Sequence, residues 1–248
     1  MKRIRWSSRR YVCGLVLSGL GWFGLVVLTG ALQEHYGGRF TADAAELTVP
    51  EGTPVTSFDF EKEDLGGWKV LDGQWTVEEM PDASSGKRVL IQRADRNAFN
   101  VIITPAGAFF RAAIDISVKF KPLSGKEDAS GGIVFRFAEG TYYVVRAHAR
   151  ENNFGLYYYD GNKWHLRATA DVQFPSLRTW HTMRVVAVGD QIQGWLDDRL
   201  LINYEDMRSL VRTDPRVELG EVGLWTKADA VTAFDDLTIR GYRAASSQ

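Results

Sequence analysis

A chain of 248 residues with 45% hydrophobic side chains has room for one buried core and one accessory segment, and its eight Trp, nine Tyr and 24 Gly exclude a disordered or fibrous protein. The formal net charge of −1 conceals an asymmetry: Lys2, Arg3, Arg5, Arg9 and Arg10 open the chain, and the remaining 25 basic residues face 31 acids, a balance of −6. Such a domain repels phosphate backbones, which excludes nucleic acid as a partner, and a single cysteine, Cys13, excludes an intramolecular disulfide.

Residues 11–32 are an uncharged apolar run behind the basic flank. The run is longer than a signal-peptide core of about 7 to 15 residues and reaches the roughly 20 that a spanning helix needs. Thr29-Gly30-Ala31 nevertheless offers the small residues a signal peptidase cuts after. Residues 1–32 therefore read as one N-terminal hydrophobic helix, either a cleaved signal peptide or a transmembrane anchor. In both cases the cationic flank stays cytoplasmic and the bulk of the chain is exported. The expected location is the periplasmic or extracellular face, secreted or anchored to the cytoplasmic membrane through that helix.

Residues 33–57 mix Gly, Thr, Pro and Ala without periodicity and read as a linker. From Phe58 onward, short alternating runs are separated by turn residues. Strands are expected at Trp75–Glu78, Val89–Gln92, Phe110–Lys121, Gly132–Phe137, Tyr142–His148 and Phe154–Tyr159. Further strands are expected at Trp164–Thr169, Trp180–Val188, Gln191–Leu196, Leu200–Tyr204, Gly220–Thr226 and Val231–Ile239, with one helical turn at Met207–Val211. Many short strands with no long apolar helix predict an all-β fold, a two-sheet antiparallel β-sandwich over residues 58–242, with 243–248 as a tail.

The stretch from Gly132 to Thr169 predicts a four-stranded meander, with turns at Glu139-Gly140, Asn152-Asn153 and Asp160-Gly161-Asn162. A three-residue loop at 160–162 would pair Tyr158 with Trp164 and Leu156 with Leu166. A four-residue loop at 150–153 would pair Val145 with Tyr158 and Ala147 with Leu156. Together these put Val145, Ala147, Leu156, Tyr158, Trp164 and Leu166 on one apolar face. The opposite face then carries Arg146, His148, Tyr157, Tyr159, Lys163, His165 and Arg167, with Arg136 beside them. Such a face is either a solvated sheet surface or a sugar site, because pyranose C–H patches stack on aromatics while hydroxyls bond to Arg, His and Tyr. Trp68, Trp75, Trp180 and Trp195 read as core, and Trp225, in a Gly-rich strand near Lys227, reads as the tryptophan that lines a groove.

FDFEKEDLGGW at 58–68, WTVE at 75–78, GGIVFRF at 131–137, WHTMRVVAV at 180–188, QIQGWLDDRL at 191–200 and GLWTKADAVTAFDDLTI at 223–239 give the chain a family likeness. It resembles the concanavalin A-like lectin/glucanase superfamily, and within it the 3-keto-disaccharide hydrolase domains, also labelled family 16 glycoside hydrolase-like. The resemblance implies a jelly roll with any ligand site on the concave sheet. Catalytic glucanases of that superfamily carry Glu-x-Asp-x-x-Glu on one strand, and no Glu-x-Asp occurs here. The Tyr-Glu-Val-Gln-like strand of the nearer relatives corresponds to Tyr142-Tyr143-Val144-Val145, which lacks the carboxylate.

In sugar-binding sandwiches the first and last strands are neighbours, and acids there can hold a structural Ca²⁺. Asp59, Glu61, Asp235 and Asp236 are the candidate ligands, with exposed acids or turn caps as the alternative. His148, His165 and His181 lack zinc-site spacing. The expected function is an exported module that binds a glycan or small saccharide through Arg136, Arg146, His148, Tyr157, Tyr159, His165, Arg167 and Trp225. One alternative is a glycoside hydrolase or lyase of the 3-keto type, in which Tyr157, Tyr159, His148 or His165 would supply a base and an electrophile. The other is a structural envelope protein.

Overall fold

The computed structural model describes residues 44–62, 64–93, 99–173, 176–206 and 219–243. The hydrophobic segment, the stretch Met207–Val211 and the C-terminal tail lie outside the described residues. Among the described residues there are fifteen strands: β1 Val55–Phe58, β2 Lys69–Asp72, β3 Trp75–Glu79, β4 Arg88–Gln92, β5 Phe99–Ile103, β6 Phe109–Ser124, β7 Ser130–Ala138 and β8 Thr141–His148. They continue with β9 Asn153–Tyr159, β10 Trp164–Asp171, β11 His181–Val188, β12 Gln191–Leu196, β13 Arg199–Glu205, β14 Leu219–Lys227 and β15 Val231–Arg243. Their pairings are antiparallel throughout.

Two sheets result. Sheet I runs β13-β12-β11-β6-β15, and the far side of β15 is shared by β1 and by β4, which carries β3. Sheet II runs β10-β9-β8-β7-β14-β5-β2. Leu219 and Gly220, at the start of β14, pair with Phe110 and Phe109 of β6 and so connect the sheets. The all-β, two-sheet sandwich is thus as expected.

Alternation drives the layering. Tyr143, Val145 and Ala147 of β8, Phe154 and Leu156 of β9, and Ile133 and Phe135 of β7 face Ile114, Ile116 and Val118 of β6 and Met183, Val185 and Ala187 of β11 in one core. Each fully buried side chain of this kind contributes about 1.5–3 kcal/mol before conformational entropy is set against it. Phe154 reaches so far across that a β-carbon at Gly194 of β12 would sit 3.1 Å from its ring. Bulges keep the pattern in step: Asp236, at φ 50, lets Phe234 and Leu237 of β15 both point into the core although they are three residues apart. A second bulge at Arg136, φ 54, turns Phe137 to the outer face of sheet II while Phe135 stays inside.

The hairpin turns settle the meander. Glu139 and Gly140 both have positive φ, at 49 and 81, and close β7–β8 as a two-residue turn. The β8–β9 loop is four residues long, as expected, but begins one residue earlier, so His148 faces Asn153 and Val145 faces Leu156. This slip changes each pairing by two residues, and Val145, Ala147, Leu156 and Tyr158 keep their common face. The β9–β10 loop is four residues, 160–163, because Asp160 N–H bonds back to Lys163 O at 3.2 Å. Trp164 therefore faces Tyr159, and Leu166 faces Tyr157. That odd shift corrects the expected facing: Trp164 and Leu166 move to the outer face, and His165, opposite Tyr158, moves off it.

Ahead of β1, residues Ala44–Pro50 are pinned to the outer face of sheet I. Gln193 accepts from Leu47 N–H at 2.7 Å and donates to Ala45 O at 2.9 Å, while Arg184 donates to Glu46 at 2.6 Å and to Asp115 at 2.9 Å.

Candidate functional site

The outer face of sheet II carries a second cluster of buried residues, Val101, Ile103, Val134, Phe137, Tyr142, Val144 and Trp225, with Phe99, Tyr157, Tyr159 and Trp164 packed against it. Cross-strand register builds the site from this cluster. One row across the sheet reads Val101, Trp225, Gly132, Arg146, Gly155, Thr169. The two glycines in it make the floor. A β-carbon at Gly132 would meet Val144 and the Val145 carbonyl at 2.9 Å and Trp225 at 3.3 Å. One at Gly155 would lie 2.6 Å from Tyr157 Cε2. Without these β-carbons, Trp225 packs over Gly132, and Tyr157 folds over Gly155 towards Arg146.

Between them is a cavity of about 200 Å³ lined by Phe99, Arg146, Tyr157, Trp164, Trp225 and Lys227. Its aromatic rings support one another: Phe99 stacks on Trp225 at 6.1 Å, and Trp164 meets Phe99 at 4.7 Å, Tyr157 at 6.0 Å and Trp225 at 5.7 Å. Lys227 is the cross-strand partner of Phe99 and so stands on the same face.

A polar network anchors Arg146 from behind. It donates to Glu151 at 2.9 Å and to the Tyr157 hydroxyl at 3.2 Å, and lies 3.5 Å from Asp128. Burial works against its charge, but Tyr157, Asp128 and Glu151 together hold the guanidinium above its ordinary pKa. Glu151 is likewise desolvated, yet Asn153, His148 and Arg146 hold it below the usual carboxylate range. His148 is buried in the same network: its Nδ1 accepts from the Arg150 and Glu151 N–H groups at 3.2 Å, which leaves the proton on Nε2, 3.2 Å from Asp128. Burial pushes the Tyr142 hydroxyl well above its ordinary pKa, with neighbouring Tyr159 adding to the effect.

The structure thus brings Arg146, Tyr157 and Trp225 around one cavity, with Tyr159 beside Trp164 at its edge. His148 supports from beneath. The other expected ligand residues lie elsewhere. His165 bonds to Asp160 at 2.7 Å and, with Arg167 over the Tyr158 ring at 5.7 Å, occupies the core-facing side of the sheet edge. Arg136 reaches away to Gly189 O at 2.5 Å. Phe99, Trp164 and Lys227 line the cavity without having been singled out as ligand residues. The side of Trp164 depended on one residue of loop length. Lys227 was visible only as the neighbour of Trp225 two positions on.

Three of the four acids considered for calcium hold the loop at Ser85–Arg88. Glu61 accepts the N–H groups of Lys87 and Arg88, both at 2.9 Å. Asp235 accepts from Ser85 N–H at 3.0 Å and Asp236 N–H at 2.8 Å, and Asp236 accepts the Ser85 hydroxyl at 2.6 Å. Asp59 accepts from Glu61 N–H at 3.3 Å. Among the described residues no three acidic, His or Cys side chains gather as an ion site.

The fold is an antiparallel two-sheet sandwich with an aromatic pocket on the outer face of sheet II. The solved structures agree in fold. The carbohydrate-binding module CBM66 from Bacillus subtilis superposes with a TM-score of 0.56 at 18% identity, over 71% of this chain and 96% of that one. A Bacillus subtilis protein of unknown function with a galectin-like fold gives 0.56 at 14%, over 76% and 96%. A putative glycosyl hydrolase from Parabacteroides distasonis gives 0.50 at 16%, over 75% and 99%. No curated protein sequence matches the chain. Residues 54–240 match the 3-keto-alpha-glucoside-1,2-lyase-like domain, and the chain belongs to that family.

Proposed function

We propose that this protein is a saccharide-binding module displayed on the outer side of the cytoplasmic membrane behind its N-terminal hydrophobic segment. The observation that carries the binding reading is the cavity itself. Four aromatic rings converge on one cavity with Arg146 fixed at its wall, which matches the stacking faces and hydrogen-bonding edges of a pyranose. A volume of about 200 Å³ is below the 300–1,000 Å³ typical of drug-sized ligands, and suits one sugar ring. Display outside the membrane rests on the sequence of residues 1–32.

A glycan array read on the full chain tests the binding reading, with Trp164→Ala as the control. Saccharide binding that disappears in this variant supports the pocket, and binding that survives it moves the site elsewhere. Recovery of the protein in membrane pellets after a carbonate wash tests attachment, and a mature N-terminus at Leu32 overturns the anchor.

Family membership favours a second reading, a lyase acting on a 3-keto glycoside. Removing the C–H next to the ketone and expelling the glycosidic oxygen needs a base beside the sugar. His148 Nδ1 accepts two backbone N–H groups and the ring does not line the cavity, and no carboxylate lines it among the described residues, so Tyr157 and Lys227 are the groups placed to take part. Release of an unsaturated keto sugar from a 3-keto glycoside, abolished by Tyr157→Phe or Lys227→Met, would establish it.

A further inference from the structure

Resting on the binding reading, we propose that the pocket selects an acidic saccharide, a sugar ring bearing a carboxylate, with Lys227 as its counter-ion. The lining supplies donors. Arg146 and Lys227 donate only, and the Tyr157 oxygen already accepts from Arg146, which leaves its own proton to give. No carboxylate or side-chain amide lines the cavity among the described residues. A neutral sugar presents hydroxyls, each with a proton that needs an acceptor. A carboxylate accepts and has nothing to give, so it fits a lining made of donors.

Charge separates the two cations. Arg146 is balanced by Glu151 at 2.9 Å and Asp128 at 3.5 Å. Lys227 has no ion pair or side-chain hydrogen bond among the described residues, although its domain is acidic overall. The uncompensated positive charge of the cavity therefore sits on Lys227, at the edge of the stacked Phe99 and Trp225 rings. The Trp164 Nε1 is shielded from solvent and has no hydrogen-bond partner among the described residues. An anion placed over the aromatic floor would be drawn to Lys227, and a bond to its ammonium would be the strong, charge-assisted kind.

The test is calorimetric titration of the full chain, held in a sugar-free polyoxyethylene detergent, with the methyl glycosides of glucuronate, galacturonate and mannuronate and with their three neutral counterparts. At least one uronate should bind about tenfold or more tightly than its neutral partner. That ratio should shrink at 0.5 M salt, where exposed charge is screened. It should fall to near one in Lys227→Met and be largely kept in Lys227→Arg. Equal binding of acid and neutral forms by the wild type, or a preference that survives Lys227→Met, overturns the proposal. If neutral sugars bind and lose affinity in Trp164→Ala with no preference for the acid, the saccharide pocket stands and only the acidic ligand is lost. If neither class binds, both readings fall.

Discussion

The Tyr157 ring lies across Gly155, two residues before it on the same strand, so closely that a β-carbon at Gly155 would stand 2.6 Å from Cε2 of the ring. The absent side chain lets the Tyr157 hydroxyl reach Arg146. Gly155→Ala should therefore lower stability by about 1–3 kcal/mol, the usual cost of overpacking, by forcing the ring aside. In a Tyr157→Ala background the same substitution should cost close to nothing, since the clash is gone. Urea denaturation of the two single variants and the double variant measures the coupling. Additive effects would show that the ring and the glycine do not constrain each other.

The three consecutive tyrosines of β9 differ in what they face. Tyr158 packs on Tyr143 at 5.1 Å and against the core, whereas Tyr157 and Tyr159 join the outer cluster with Trp164. Tyr158→Ala should cost about 2–3 kcal/mol, somewhat less than the 3–5 of a fully buried aromatic. Tyr157→Ala should cost about 1 kcal/mol and reduce saccharide affinity tenfold or more. Equal destabilisation by Tyr157→Ala and Tyr158→Ala in urea would contradict the faces seen here.

The tyrosine result also shows how far the sequence carries. Alternation in β8 and β9 placed Val145, Ala147, Leu156 and Tyr158 inside correctly, because a loop displaced by one residue alters register by two and leaves faces intact. Trp164 could not be placed that way. Whether Lys163 belongs to the loop or the strand is decided by the Asp160–Lys163 backbone bond and by the Asp160 carboxylate, which accepts from Lys163 N–H at 2.7 Å. Alternation does not encode that choice. Strands β2, Lys69–Asp72, and β5, Phe99–Ile103, were not among the expected strands. Phe99 entered the site with β5, and no pattern in the flanking residues announced it.

The segment before β1 is held by the Gln193 amide together with the salt bridge from Arg184 to Glu46. Gln193 is buried, accepts from Leu47, and donates to Ala45 and to Asn203. Gln193→Ala removes both links to the segment and should cost about 1–2 kcal/mol. It should also speed cleavage between Ala44 and Pro50 severalfold in limited proteolysis, at temperatures where the sandwich stays folded. An unchanged cleavage rate would mean that the salt bridge from Arg184 to Glu46 holds the segment by itself.

Glu61, Asp235 and Asp236 spend their oxygens on the loop at Ser85–Arg88. We expect these acids to tie that loop to β15 without a metal. Melting temperatures in EDTA and in millimolar calcium should then coincide. A clear rise with calcium, absent in Asp236→Ala, would return a cation to this end of the fold.

Asp235 gives a pH dependence of the opposite sign to that of Glu61, Glu151 and Asp229. Burial, reinforced by neighbouring Asp236, pushes its carboxyl up to about 6, from an ordinary value of 3.8. The folded state thus binds this proton more tightly than the unfolded chain does. The stability Asp235 contributes is fully present below about pH 4 and is lost as the pH rises through about 6. Asp235→Asn cannot ionise and should lack that slope. The difference in unfolding free energy, variant minus wild type, should therefore move in the variant's favour by about 2 to 3 kcal/mol between pH 4 and pH 7. Glu61, Glu151 and Asp229 are held below their ordinary pKa values and destabilise the fold as pH falls, but they are common to both proteins and cancel in the difference. Urea titrations at pH 4, 5, 6 and 7 measure it. A difference that does not change with pH, or that moves against the variant, would show that the N–H groups of Ser85 and Asp236 stabilise the carboxylate enough to outweigh its burial.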